Sequence, residues 1–327
     1  MSELSEKDRL LQEALKVIEK EFGEGSLILL GEHVAVRKDV IHTGSIGLDH
    51  ALGIGGYPRG KIIEIYGPEA SGKTTICLHA IKECQMSGGT CAYIDVEHAL
   101  DPAYAELIGV DVDHLYLSQP DNGEQALGIC ETLVNSHAFD LVIVDSAAAL
   151  VPKKELDGSM GENLGLQAGM LAKSLHKLVE GAIRSKATAI FTNQLRYRND
   201  NSGVLEVTSG GRALKFHAAV RIELQKTELI KTKGNVVGRQ ICLTIKKNKS
   251  APPFKKADVK IMYGKGISRE DELIDYCVEN GLFDKIGAWY SYNGKKIGQG
   301  RDNARKYLEE HTEERDKIEE ELKPLLK

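Results

Sequence analysis

Apolar residues along most of the chain recur in short runs, and helical patterns separate the first four of these runs. Each run predicts a β-strand, and their alternation with helices predicts an α/β fold with a mostly parallel central sheet. The later runs follow one another closely and predict an antiparallel extension of that sheet. The predicted strands are residues 62–66, 91–95, 141–145, 187–193, 219–224 and 241–246.

The two ends of the chain show other patterns. Residues 5–22 place apolar side chains at helical spacing between charges, and residues 26–30 form a short apolar run, which predicts an amphipathic helix followed by a strand. These elements could pack on the core of their own chain or dock on a neighbouring subunit. Residues 269–327 predict a helix, a hairpin around 289–294 and a charged helix from Asp302 onward. We therefore expect three parts, at 1–33, 34–268 and 269–327.

Composition narrows the class of protein. The 327 residues are 42% hydrophobic and 28% charged, as in ordinary globular proteins, and the net charge of −5 argues against a uniformly basic nucleic-acid coat. A local basic channel remains compatible with that charge. The six cysteines show no CxxC spacing and are interpreted as core residues in a reducing compartment. The first residues are charged and no apolar run reaches ~18 residues, so we expect a cytoplasmic protein.

The strongest chemical motif is GPEASGKT at residues 67–74, which has the form GxxxxGK(S/T). A predicted strand precedes it and a helical stretch follows, so backbone N–H groups and the helix N-terminus can converge on phosphate oxygens. Lys73 can reach the β- and γ-phosphates of ATP, and Thr74 can ligate Mg²⁺. The expected nucleotide contacts of this loop are Gly67, Pro68, Glu69, Ala70, Ser71, Gly72, Lys73, Thr74 and Thr75.

Two carboxylates extend the predicted nucleotide site. Asp145 ends the apolar run LVIVD, as in a Walker B element, where the carboxylate holds Mg²⁺ directly or through water. Glu97 follows the predicted strand 91–95, and parallel topology would place it near the γ-phosphate, where it could orient or deprotonate water. A helix-capping role is the alternative for Glu97.

Ordered motifs over nearly the whole chain resemble the bacterial RecA family, with divergent loops and without the long acidic C-terminal tail of many relatives. They are TGS at 43–45, EIYGPE at 64–69, DVEHALDP at 95–102, SQPD at 118–121, GEQAL at 123–127, VDS at 144–146, NQ at 193–194, GG at 210–211, ALKF at 213–216, KNK at 247–249 and GAWYSY at 287–292. The resemblance implies an ATP- and Mg²⁺-dependent recombinase that forms helical filaments on single-stranded DNA and exchanges strands with double-stranded DNA. It also implies DNA-stimulated ATP hydrolysis and a co-protease role toward a LexA-like repressor.

The resemblance assigns roles at the nucleotide site. Glu97 would be the general base, Asp101 and Tyr104 would border the adenine, and Tyr263 would join the nucleotide contacts. Gln194 would sense the γ-phosphate and pass its state to the DNA-binding loop that follows.

Two lysines are assigned to the subunit interface by the same resemblance. Lys247 and Lys249 would reach into the ATP site of the adjacent subunit, where a cation from a neighbour stabilises transition-state charge and makes hydrolysis depend on assembly. Solvated charge at a strand end is the alternative. Segment 1–33 would then serve polymerisation.

Two glycine-containing polar loops, at 152–169 and 195–212, are expected to order on DNA. Arginines and backbone N–H groups would bind phosphates, and apolar side chains would insert between bases. Each loop is one residue shorter than the usual family form, and Gly169 and His176 stand where the family usually carries Arg. The expected DNA contacts are Leu164, Gly165, His176, Arg196, Tyr197, Arg198, Gly210, Gly211 and Arg212.

Three other functions share parts of this pattern. A hexameric helicase would need an arginine finger and would not be expected to match the 288–292 segment. A small-molecule kinase would need a phosphoacceptor site and lid arginines, neither of which we can assign. A purely structural ATP-binding filament would not need Glu97, and DNA-stimulated ATP turnover would distinguish it from a recombinase.

Overall fold

The computed structural model describes residues 6–23, 26–27, 39–156, 165–200, 203–232 and 234–326, with the backbone alone at 197–200 and 203–207. The chain divides into two units, Met1–Asp39 and Val40–Lys327. No helix of the described residues is long and apolar enough to cross a membrane.

The first unit contains helix α1 (Glu6–Phe22), which confirms the predicted N-terminal helix. Acidic residues occupy its first turn and Lys20 its last turn, in the sense that the helix dipole favours. Leu11, Val17 and Phe22 each expose more than half of their surface. The helix therefore presents apolar side chains that this unit does not bury. The predicted strand at 26–30 falls mostly outside the described residues.

The second unit holds the remaining described elements. The helices are α2 (Ile46–Leu52), α3 (Lys73–Met86), α4 (Pro102–Ile108), α5 (Gly123–Asn135), α6 (Lys153–Leu156), α7 (Leu166–Ser185), α8 (Ala213–His217), α9 (Arg269–Glu279), α10 (Arg301–Glu310) and α11 (Thr312–Leu322). The strands are β1 (Val40–Ile41), β2 (Tyr57–Pro58), β3 (Ile62–Gly67), β4 (Cys91–Asp95), β5 (Leu115–Ser118), β6 (Leu141–Asp145), β7 (Thr188–Asp200), β8 (Gly203–Thr208), β9 (Val220–Thr232), β10 (Asn235–Asn248), β11 (Lys256–Met262), β12 (Gly266–Ile267), β13 (Phe283–Ile286), β14 (Trp289–Tyr292) and β15 (Lys295–Gln299).

A large sheet forms the centre of this unit. Within the described ranges its strand order is β12-β11-β10-β9-β3-β7-β6-β4-β5, with β8 paired to β7. The strands from β9 to β5 run parallel, and β10 to β12 are added antiparallel, as the sequence predicts. Ile63 and Ile65 of β3 pack in one hydrophobic cluster, whereas Ile62 packs in the other. Both faces of the central strands are therefore buried, which explains their continuous apolar runs.

The segment predicted as the second DNA-binding loop differs from the expectation. Strand β7 continues to Asp200 and pairs antiparallel with β8, from Leu195↔Thr208 to Asp200↔Gly203. The two strands thus form a hairpin, termed here the β7–β8 hairpin, where the sequence analysis expects an irregular loop. The segment VLEVT at 204–208 is rich in β-branched residues, and its β-propensity outweighs the polar character of the residues around it.

The C-terminal segment has its own small core. Strands β13, β14 and β15 form an antiparallel sheet, and Leu273, Phe283, Tyr292 and Leu308 belong to the hydrophobic cluster between this sheet and the helices. The single charged helix predicted from Asp302 onward is instead two helices, α10 and α11. His311 separates them, and its ring stacks on Tyr307 with the centroids 4.0 Å apart.

Candidate nucleotide site and nucleic-acid interface

The glycine loop between β3 and α3 has no room for larger side chains at two positions. A Cβ on Gly67 would lie 2.6 Å from the carbonyl oxygen of Leu224. A Cβ on Gly72 would lie 2.5 Å from Cδ1 of Ile261, and Gly72 has a φ of +94°. Glycine is needed at both positions because the loop backbone lies against neighbouring strands. The loop therefore curls over the N-terminus of α3, where its N–H groups can face an anion.

A cavity of about 320 Å³ lies in front of this loop. Its wall brings together most of the predicted nucleotide residues, with Arg239 as a cation that the sequence analysis did not include. The lining residues are Glu69, Ala70, Ser71, Gly72, Lys73, Thr74, Thr75, Glu97, Tyr104, Asp145, Gln194, Arg239, Ile241, Ile261 and Tyr263. Asp101 is outside this lining and caps α4, where its Oδ1 accepts a hydrogen bond from Ala103 N at 3.0 Å.

Asp145 is the most heavily hydrogen-bonded carboxylate of the cavity. Its side chain accepts hydrogen bonds from Thr74 Oγ1 at 2.8 Å, from the Tyr93 hydroxyl at 2.6 Å and from Thr192 Oγ1. Burial raises the pKa of Tyr93 well above its usual range, so this hydroxyl remains a donor. Three neutral donors therefore hold the Asp145 carboxylate while its residue stays 8% exposed toward the cavity.

The donor set suits a magnesium ion. Mg²⁺ binds hard oxygen ligands and is usually held by one or two carboxylates together with substrate phosphates and water. Thr74 Oγ1 and Asp145 Oδ2, 2.8 Å apart, are two such oxygens at the N-terminus of α3. The residues present therefore fit the ion that the sequence predicts.

Two polar groups of the loop have capacity left for a phosphate. Ser71 Oγ is buried and has no hydrogen-bond partner among the described residues, which is costly for a hydroxyl. Lys73 Nζ donates to the carbonyl of Pro68 at 2.9 Å. Burial lowers the pKa of Lys73, and the negative charges of Asp145 and Glu97 oppose that shift. An anion in the cavity would give Ser71 Oγ a partner and Lys73 Nζ a further one.

Glu97 lines the cavity and is exposed. Its Oε1 accepts hydrogen bonds from Ser146 Oγ and from Gln194 Nε2, the latter at 3.4 Å. Glu97 does not cap a helix, because Asp101 is the residue that caps α4. The carboxylate therefore stands in the cavity with one oxygen positioned by two side chains.

Gln194 connects this site to the β7–β8 hairpin. It pairs with Gly67 in the parallel register of β3 and β7, so the strand passes directly beside the start of the glycine loop. From the next residue, Leu195, to Asp200 the same strand forms one side of the hairpin. A displacement of the hairpin can therefore reach the Glu97 contact through a single strand.

Lys247 and Lys249 lie outside the lining of the cavity. The Nζ atom of Lys247 donates to the carbonyls of Lys215 and Phe216, at 2.8 and 2.9 Å, near the C-terminal end of α8. Burial and the charges of Lys249 and Arg221 lower the pKa of Lys247. Lys249 is exposed just beyond β10.

The predicted DNA contacts are only partly within the described residues. Arg196 and Arg212 are exposed. Leu164 lies outside the described residues, and only the backbone of Tyr197 and Arg198 is described. His176 and His217 lie close together, with ring centroids 6.3 Å apart.

Three glycines shape the backbone on this side of the molecule. Gly165 is the N-cap residue before α7 and has a φ of +117°. Gly210 and Gly211 have φ values of +77° and +72°, in the left-handed region that favours glycine. A Cβ on Gly210 would approach Leu171 Cδ1 to 2.3 Å, so this turn packs directly on α7.

Comparison with known proteins covers nearly the whole chain. The model of the RecA N-terminal domain matches residues 9–268, and the model of the RecA C-terminal domain matches residues 271–327. Protein RecA of Lactobacillus delbrueckii subsp. bulgaricus is 52% identical over 323 residues, which cover 97% of this chain and 97% of the relative. Protein RecA of Staphylococcus carnosus is 51% identical over 327 residues, which cover 98% of this chain and 91% of the relative. The crystal structure of the RadB recombinase matches with a TM-score of 0.52 and 23% identity, over 70% of this chain and 98% of that chain, a likeness of fold alone.

Proposed function

This chain belongs to the RecA family of DNA-dependent ATPases and recombinases, and we propose that it hydrolyses ATP in the cavity beside β3 with Glu97 as general base. One observation carries the proposal. The Glu97 carboxylate lines the same cavity as Lys73, Thr74 and Asp145. A base and a phosphate-binding loop that face one cavity are what in-line attack of water on a phosphate requires.

The glycine loop binds the phosphates. Lys73 places a positive charge at the β- and γ-phosphates, and Ser71 Oγ donates the hydrogen bond that it lacks in the protein alone. Thr74 and Asp145 hold Mg²⁺, which neutralises charge on the phosphate oxygens when it is bound. Tyr104 and Tyr263 line the same cavity and contact the remainder of the nucleotide, with Asp101 at the border of the adenine.

Glu97 accepts the proton of the attacking water. Ser146 and Gln194 both donate to its Oε1, and the described residues place no such donor on Oε2, so we assign proton acceptance to Oε2. Gln194 withdraws or returns its contact with Glu97 as the γ-phosphate state changes. Because β7 continues into the hairpin, this contact links hydrolysis to DNA.

The lysines of β10 act on the nucleotide of an adjacent copy in the filament. Lys247 and Lys249 are too remote to line the cavity of their own chain. A cation supplied by a neighbour stabilises charge that develops in the transition state and restricts hydrolysis to assembled subunits. The segment 1–33 serves this polymerisation, and the apolar side chains that α1 exposes support a docking role.

DNA binds on the side of the β7–β8 hairpin. Arg196 and Arg212 are exposed there and contact phosphates, as do the backbone N–H groups of Gly210 and Gly211. His176 replaces an arginine of the family and adds a contact that is charged only when the imidazole is protonated.

Family membership further supports a co-protease role toward a LexA-like repressor after DNA damage, and a cytoplasmic location.

Substitution of the proposed base tests this function. Glu97→Gln retains size and hydrogen bonding but cannot accept a proton, so DNA-stimulated ATP turnover should fall by roughly 10²–10⁴-fold while ATP binding is kept. Glu106→Gln, an exposed glutamate on α4 outside the cavity, is the matched control and should behave as wild type. A loss of less than about tenfold in Glu97→Gln would show that another group is the base.

A further inference from the structure

A buried ion pair joins β3, the strand that leads into the glycine loop, to β9. The side chain of Glu64 on β3 is 0% exposed, and its Oε2 accepts a hydrogen bond from Nε of Arg221 on β9, whose side chain is 13% exposed. Removing two charges from water is expensive, so such a pair contributes little net stability. A role in specifying the arrangement of its neighbours is the better explanation of why it is there.

On one side, Glu64 holds the base of the hairpin through Asn193. Asn193 Nδ2 donates to Glu64 Oε1 at 3.0 Å and to the carbonyl of Ser209 at 3.2 Å. Asn193 Oδ1 accepts from Gln194 N at 2.9 Å. Asn193 lies on β7 before the hairpin, and Ser209 directly follows β8. One amide therefore contacts the chain where it enters the hairpin and where it leaves it.

On the other side, Glu64 fixes Arg221, which is the neighbour of Lys247. The Arg221 guanidinium lies 4.5 Å from the centroid of the Tyr66 ring, so it is held by an aromatic face as well as by the carboxylate. Arg221 pairs with Lys247 in the register of β9 and β10. The charges of Arg221 and Glu64 act on Lys247 in opposite senses, lowering and raising its pKa respectively. Beside burial and the charge of Lys249, this ion pair therefore contributes to the electrostatic surroundings of Lys247.

We propose that Glu64 is a positioning residue that couples the base of the β7–β8 hairpin to Lys247. When DNA displaces the hairpin, Asn193 transmits the shift to Glu64, and the Glu64–Arg221 pair changes how Lys247 is held on the carbonyls of α8. This path runs through side chains other than the contact between Gln194 and Glu97, and the two adjoin at Asn193, whose Oδ1 accepts from Gln194 N. It rests on the proposed function, because it acts through the role of Lys247 at an adjacent subunit.

Neutralising the carboxylate tests the proposal. In Glu64→Gln, the ratio of ATP turnover with oligo(dT) to turnover without DNA should fall by about tenfold, the size expected for loss of one coupling contact. Turnover without DNA, and affinity for oligo(dT) in a non-hydrolysable ATP analogue, should stay within about threefold of wild type. A ratio within about twofold of wild type would overturn the proposal.

A second buried glutamate provides the matched control. Glu223 on β9 has a side chain that is 3% exposed and pairs with Lys246 at 3.0 Å, and among the described residues its carboxylate bonds Lys246 and Gln225 rather than Asn193 or Arg221. Glu223→Gln should therefore lower the midpoint of thermal unfolding much as Glu64→Gln does, without changing the ratio of ATP turnover with DNA to turnover without DNA. If both variants lower the ratio equally, the role of Glu64 is only structural and the proposal is wrong.

A variant of Arg221, the partner of Glu64, tests the proposal if Glu64→Gln does not fold. Arg221→Lys keeps the charge but loses the planar guanidinium that contacts both Glu64 and the Tyr66 ring. It should lower the turnover ratio in the same way, and a folded Arg221→Lys protein with an unchanged ratio overturns the proposal.

The variant Lys247→Ala distinguishes failure of the coupling role of Glu64 from failure of the proposed function. If Lys247→Ala leaves turnover unchanged, the role of Lys247 at the adjacent subunit is wrong, and that of Glu64 with it. If Lys247→Ala removes turnover while Glu64→Gln and Arg221→Lys keep the ratio, only the coupling role is wrong. Where coupling holds, Glu64→Gln/Lys247→Ala should be no worse than Lys247→Ala alone, because both changes act on one path.

Discussion

The nucleotide cavity and the β7–β8 hairpin are built in different ways. The cavity is built from positions without spare room, such as Gly67 and Gly72, and from a carboxylate held by three hydroxyl donors. The hairpin projects from the sheet, where β8 pairs with β7 alone, and it offers exposed charge such as Arg196. Hydrolysis of ATP requires side chains held in a fixed geometry, whereas contact with DNA phosphates requires only a positive charge on a side chain that can adjust its position. Substitutions in the cavity should therefore have much larger effects than substitutions at the hairpin.

Loss of the loop lysine should give the largest effect. Lys73→Ala removes the cation at the phosphates, so ATP turnover should fall by roughly 10³-fold or more and ATP-dependent DNA binding should disappear. Lys82→Ala, on the same helix but outside the cavity, is the control. Steady-state turnover and DNA anisotropy measure both properties. Near-normal turnover in Lys73→Ala would contradict the expectation that substitutions in the cavity have larger effects than substitutions at the hairpin.

Acid should destabilise the cavity side through a histidine on the helix of the glycine loop. His79 is 5% exposed, its Nε2 accepts a hydrogen bond from Ile267 N at 2.8 Å, and burial lowers its pKa to about 3. In the unfolded chain the imidazole takes up a proton near its ordinary pKa of about 6.5. The unfolded state therefore binds more protons between these two values, and the free energy of unfolding falls as the pH drops through that window.

The expected size of this effect is moderate. Between about pH 7 and about pH 5, His79 should account for a loss of about 2 kcal/mol in the free energy of unfolding. Denaturant titrations of wild type and His79→Gln measure it, and the variant should lose this part of the pH dependence. His137→Asn, at an exposed position with a φ of +59°, should retain it. An equal pH slope in wild type and His79→Gln would exclude His79 as its source.

The smallest effect is expected at the hairpin. Arg196→Ala should weaken single-stranded DNA binding by several-fold and reduce the slope of log affinity against log salt by about one, since one phosphate contact no longer releases counterions. Arg184→Ala, an exposed arginine at the end of α7, is the control. An unchanged slope in Arg196→Ala would mean that this side chain does not contact phosphate.

Sequence patterns predict the central strands well because strands buried on both faces appear as uninterrupted apolar runs. The patterns do not predict strand β5, since its four residues expose Tyr116 and Leu117 at the sheet edge and show no such run. They do not predict the hairpin either, because the polar residues around it favour a loop while its pairing depends on the register with β7. Local patterns do not contain that register.

The same limit applies to the site. The glycine loop, Asp145 and Glu97 are recognisable because their order along the chain reflects the chemistry of phosphate binding. Tyr93 and Thr192, which hold Asp145, come from strands that become its neighbours only through the order β7-β6-β4. Arg239 reaches the cavity from β10 in the same way. Contacts between distant segments depend on sheet order, which a single sequence does not specify.

A mixing experiment tests whether the site that hydrolyses ATP is shared between two adjacent subunits. Glu97→Gln retains the lysines, Lys247→Ala/Lys249→Ala retains the base, and each protein alone should be nearly inactive with saturating single-stranded DNA. In an equal mixture that assembles at random, about one quarter of the interfaces pair an intact base with intact lysines, so turnover should recover to about one quarter of wild type. A mixture no more active than the mean of its two components would show that each subunit hydrolyses ATP without its neighbour, and would contradict the account.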